Sequence, residues 1–82
     1  MSNKTTWDTK ACNLLKAEIV KRGLSYDDLR VALEKVGIQK SVSNLTKMIN
    51  EGKFRFAFFL QCAVAIEMKT LRLDDLFITE TD

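Results

Sequence analysis

Residues 40–55 gather the side chains best suited to meet a polyanion. Lys40, Lys47, Lys53 and Arg55 supply four cations against one carboxylate, Glu51. Ser41, Ser43, Asn44 and Asn50 stand among them and add hydroxyls and amides. At 100° per residue, Ser43, Asn44, Lys47, Asn50 and Glu51 fall on one side of a helix. Val42, Leu45, Met48 and Ile49 fall on the other. Lys47 lies near the middle of the polar side. Amides, hydroxyls and a long cation are the groups that read base edges, and Lys and Arg pair with phosphates. The same composition serves equally well as a solvated helix face.

Other chemistries find little support. The chain has no histidine, which removes the commonest general base. No Ser or Cys has a recognisable activating partner. Cys12 and Cys62 fit no zinc spacing and lie in apolar helical contexts, so they read as small buried hydrophobes. We expect no enzyme, no catalytic residue, no cofactor and no metal site.

Eighty-two residues make one domain, near the lower limit for a self-sufficient core. There is no proline, and the three glycines each fall where a helical pattern stops. This favours an all-α fold. The net charge of +2 is uneven. Residues 1–24 and 38–55 each carry a surplus of three positive charges, and residues 56–82 a surplus of three negative ones. A basic side and an acidic tail over residues 79–82 are expected. Residues 1–6 read as a flexible N-terminus without an apolar leader, residues 7–78 as the helical domain. The expected location is cytoplasmic.

The elements that must position the polar residues carry their own signals. Thr5 and Asp8 form a capping box for a first helix over residues 7–22, with Ala11, Cys12, Leu15 and Ile19 as its apolar stripe. Glu18 sits at the edge of that stripe, paired with Arg22 at i+4. Ser25 and Asp28 open a second helix, in which Leu29, Ala32, Leu33 and Val36 share one face. Ser41 caps the third, Val42–Glu51, and Gly52 ends it.

Residues 54–68 follow, FRFAFFLQCAVAIEM. Twelve of the fifteen are apolar, and the three polar ones are six apart, so no polar face exists. A helix apolar all round is a core helix or a membrane span, and this one is too short to span. It reads as the central, most buried helix. Its Phe54, Phe56, Phe58 and Phe59 read as core. If two copies met through this helix, Phe54, Phe58 or Phe59 would be partly exposed. Residues 73–77, LDDLF, read as one last turn or short helix, the fifth and closing element.

The order of these elements resembles the helix-turn-helix domain of phage λ repressor, Cro and their bacterial, Xre-type relatives. LRVALEKVGI over residues 29–38 is similar to that family's supporting helix. Asn50-Glu51-Gly52-Lys53 resembles the end of its recognition helix, Cys62-Ala63-Val64-Ala65-Ile66 its fourth helix, and LDDLF its close. RGLSYDDL, NLTKMINEGKF and FLQCAVAI are more closely similar to a small bacterial domain family of uncharacterised function. The spacing from Gly37 to Gly52 is longer than the repressor pattern. The resemblance implies a five-helix λ repressor-like fold and a DNA-binding module in transcriptional regulation.

On that reading Ser43, Asn44, Lys47 and Asn50 face the groove. Lys40, Lys53 and Arg55 hold phosphates, and Ser41 sits at the helix start, where backbone N–H groups add to them. So few readers call for two copies, so a homodimer is expected beside double-stranded DNA as partner. The rival reading is a protein-interaction or dimerisation domain on the same fold, without DNA binding.

Overall fold

The first three helices begin where a side-chain cap satisfies one of their first N–H groups. The structure, a computed structural model, describes residues 5–77. Helix α1, Thr6–Lys21, is opened by Thr5, whose Oγ1 accepts the Asp8 N–H at 3.0 Å. The Asp8 carboxylate accepts the Thr5 N–H in return at 2.9 Å. Helix α2, Tyr26–Lys35, repeats this reciprocal pair with Ser25 and Asp28 at 3.0 and 2.8 Å. Helix α3, Val42–Glu51, has Ser41 as its cap, accepting the Asn44 N–H at 3.0 Å. Helix α4, Phe56–Ala65, follows Arg55 and has no side-chain cap.

Among the described residues there are four α-helices, one short 3-10 turn and no strand. The expected fifth helix is corrected: Asp74–Phe77 is a 3-10 turn. Runs of three or four residues are where this tighter geometry is used. Thr5 caps α1, as its spacing to Asp8 suggests, and Thr6 is the first residue of the helix. The rest of the segment 1–6, Ile78 and the acidic residues 79–82 lie outside the described residues. None of the described helices is long and apolar enough to cross a membrane.

The core draws on all four helices. Leu15 and Ile19 of α1, Leu29 and Leu33 of α2, and Leu45 and Ile49 of α3 meet Phe58, Phe59 and Cys62 of α4. Ile66 and Met68 close it from below α4's C-terminal end in sequence. Helix α2 packs against both α3 and α4, and α1 packs against α3. The middle of the structure is therefore α2 and α3.

The expectation of a central, most buried helix over residues 54–68 is corrected on two counts. First, the helix is shorter, because Ile66 caps it and Glu67 takes a left-handed φ of 61°. The Glu67 N–H donates to the Val64 carbonyl and the Met68 N–H to the Ala63 carbonyl, at 3.2 and 2.8 Å, a Schellman closure. Second, α4 is covered on one side only. Phe58, Phe59 and Cys62 are buried, while Phe56, Leu60 and Val64 are 66%, 48% and 67% exposed. Three amphipathic helices offer one apolar stripe each, which covers half of α4 and leaves the other half bare.

Candidate nucleic-acid interface

Burial of Leu45 and Ile49 fixes the rotation of α3 about its axis. With those two side chains inward, Ser43, Asn44, Lys47, Asn50 and Glu51 are all exposed. The polar arc read from the sequence is thus brought together on one solvent face. Thr46, at the edge of that face, donates its hydroxyl back to the Val42 carbonyl at 2.8 Å and does not join it. Ser41 is exposed, with its Oγ accepting from Asn44 as the cap. Lys40 is half-buried in the connector before α3, and Arg55 is exposed as the residue that opens α4.

Lys53 is placed differently from the other cations. Its Nζ is 2.7 Å from the Asp8 carboxylate, the same carboxylate that caps α1. The Lys53 ammonium, more than the Thr5 backbone bond, holds the Asp8 carboxyl below its ordinary range. Gly52 makes the approach close. Its φ is +68°, and a Cβ there would lie 1.9 Å from the Asp8 carbonyl oxygen. No side chain fits between the end of α3 and the start of α1. The sequence showed Thr5–Asp8 as a cap and Gly52-Lys53 as a helix end, but nothing local linked the two.

A second clamp was legible only in half. Glu18 accepts from Arg22 Nη1 at 2.5 Å, as the i,i+4 spacing suggested, and Lys21 stands 3.6 Å away. Arg22 also donates from Nη1 to the Glu18 carbonyl at 3.1 Å and from Nε to the Ile66 carbonyl at 3.2 Å. It thus ties the end of α1 to the end of α4. The Arg22 hydrogen bond outweighs burial and pulls the Glu18 carboxyl below its usual value.

The other chemistry-bearing groups are apart from this face. Cys12 and Cys62 are buried and unbridged, and burial pushes the Cys62 thiol up to about 12. Among the described residues no three His, Cys, Asp or Glu side chains converge as a metal site. A cleft of about 630 Å3 runs beside α1, lined by Lys10, Asn13, Leu14, Lys21, Arg72 and Leu76 among others, and contains none of the candidate residues. The feature that sequence reasoning ranked second to a fully buried helix is the bare half of α4. Its signal was present: a helix without a polar face in a chain with few other apolar stripes.

No curated protein and no solved structure matches the chain. Over residues 7–71, which take in all four α-helices but for Thr6, it matches the family described as "Domain of unknown function (DUF6471)", and the chain belongs to that family.

Proposed function

We propose that the domain binds double-stranded DNA through the outer face of α3, as a λ repressor-like helix-turn-helix module in transcriptional regulation. One observation carries this reading. The most clearly two-sided helix of the fold turns Ser43, Asn44, Lys47 and Asn50 to solvent together. Its only carboxylate, Glu51, sits at the last residue. Asn44, Asn50 and Ser43 would contact base edges and Lys47 a base or phosphate. Lys40 and Arg55 flank the helix in sequence and would contact phosphates. Lys53 joins them only by exchanging Asp8 for a phosphate oxygen, so it contributes less than its charge suggests.

The connector of six residues between α2 and α3 exceeds the three- to four-residue turn usual in this motif. The reading therefore draws on the polar face of α3 rather than on this turn.

The test is a titration of the folded chain with random-sequence duplex DNA at low and moderate salt, followed residue by residue by NMR. The reading expects shifts concentrated at Ser43, Asn44, Lys47 and Asn50 and affinity that falls with salt. A folded chain that shows no salt-dependent duplex binding at low ionic strength overturns it. A second reading, a protein-interaction domain without DNA binding, draws on the bare apolar half of α4.

A further inference from the structure

Among the described residues, the solvent half of α4 is built unlike any other exposed helix face. Phe56, Leu60 and Val64 recur at i, i+4 and i+8 and form one stripe, with Ala57 and Gln61 beside it. All five are exposed, and none is charged. No charge occurs anywhere from Phe56 to Ile66. The charges begin only at the two ends. Arg55 stands at the N-terminal end and Glu67 just past the C-terminal end, both exposed. Neither is ion-paired among the described residues.

We infer that this face is the interface of a homodimer, in which α4 lies antiparallel to α4 of a second copy. Three features select that occupant. A two-fold axis at Leu60 brings Leu60 onto its own counterpart and Phe56 onto Val64, a large residue against a smaller one, on both sides of the axis. The same antiparallel arrangement sets Arg55 of each chain two residues' rise, about 3 Å, from the level of Glu67 of the other, an offset that the long Arg55 side chain can span. It also opposes the two helix dipoles.

The area is consistent with a weak dimer. Phe56, Leu60 and Val64 offer on the order of 300 Å2 per chain, already the size of the largest apolar patch on a typical monomer. With the flanking residues, the pair buries on the order of 1,000 Å2 in total, the low end for specific interfaces. The dimer therefore dissociates in the micromolar range or above. The inference stands on α4 alone and does not rest on the reading of α3.

Sedimentation of the full chain, without DNA, from about ten to several hundred micromolar tests it. A monomer–dimer equilibrium is expected. Leu60→Asp places two carboxylates on the axis and should weaken it at least about tenfold, with the helical circular-dichroism signal retained because Leu60 is half-exposed. Arg55→Glu alone and Glu67→Arg alone should each weaken association by about two- to tenfold. The double variant should recover it. Leu60→Cys should form a covalent dimer under mild oxidation, since facing Cα atoms on the axis come within disulfide reach. A chain that stays monomeric at every concentration overturns the inference and assigns the stripe to a different partner. A dimer indifferent to Leu60→Asp overturns it too. Failure of the double charge exchange to restore association excludes the antiparallel register.

Discussion

Lys47 can be reversed in charge without touching the core, because Leu45 and Ile49 hold the opposite side of α3. Lys47→Glu should leave the melting curve within about 0.5 kcal/mol of the parent. It should weaken duplex binding strongly, since it replaces attraction to the backbone by repulsion. Equal affinity of parent and variant for duplex DNA, measured at low salt, would remove Lys47 from the interface. The clamp residues behave oppositely. Asp8, Glu18 and Asp28 all have depressed carboxyl pKa values, held down chiefly by Lys53, by Arg22 and by the Ser25 cap respectively. A depressed carboxyl stabilises the fold above its unfolded value, near 4, and loses that contribution as the pH falls through its folded value. The domain should therefore lose stability below about pH 4 to 5, with no contribution from these groups to any change above it. Lys53→Met removes the largest cause at Asp8. In that variant the Asp8 carboxyl, followed by NMR titration, should move back up toward the ordinary range. An unmoved titration would mean that the Lys53 contact is not kept in solution.

At the scale of the elements, α4 ends on a residue that ill fits its place. Glu67 occupies the left-handed position of a Schellman closure, where a Cβ is crowded and glycine is usual. Helices α1 and α2 end with the same pair of hydrogen bonds, and there Gly23 and Gly37 fill the position. Glu67→Gly should accordingly stabilise the domain by about 0.5–1 kcal/mol, seen as a higher urea midpoint at unchanged slope. A lower midpoint would show that the Glu67 side chain makes a favourable contact that outweighs its backbone cost. This contrast also explains what was legible beforehand. Caps at Thr5, Ser25 and Ser41 and the stop at Gly52 are local, so the first three helices could be read almost to the residue. The stop at Glu67 carries no such signal, so the sequence pattern runs three residues past the true end of the helix at Ala65. The polar face of α3 was likewise a matter of 3.6-residue periodicity. Whether both halves of α4 would be covered depended on how much apolar surface the other helices could bring, which no window of sequence contains. The Asp8–Lys53 and Arg22–Ile66 contacts span 45 and 44 positions and arise only from the packing of helix ends.

At the scale of the whole molecule, the two proposals bear on each other. Helix α3 offers few contacts: four polar residues and two or three flanking cations. One copy should bind duplex DNA weakly and with a shallow salt dependence. Lys40→Ala should flatten that dependence by about one counterion and weaken all sequences alike. If two copies joined through α4 turn both such faces to one duplex, the second contact becomes intramolecular. Leu60 lies on α4, outside the polar face of α3, yet Leu60→Asp should then lower apparent duplex affinity by an order of magnitude or more. The same α3 amides should still respond to DNA. Binding by the parent should steepen as the protein concentration passes through the dimerisation range, and binding by Leu60→Asp should not. The measurement is a pair of isotherms on a duplex long enough to take two copies, read beside sedimentation of the same samples. If Leu60→Asp abolishes the dimer and leaves duplex affinity unchanged, the two surfaces act independently and each copy reads DNA alone. If the parent dimerises and no duplex binding is found, α4 is the functional surface and the polar face of α3 is solvated helix.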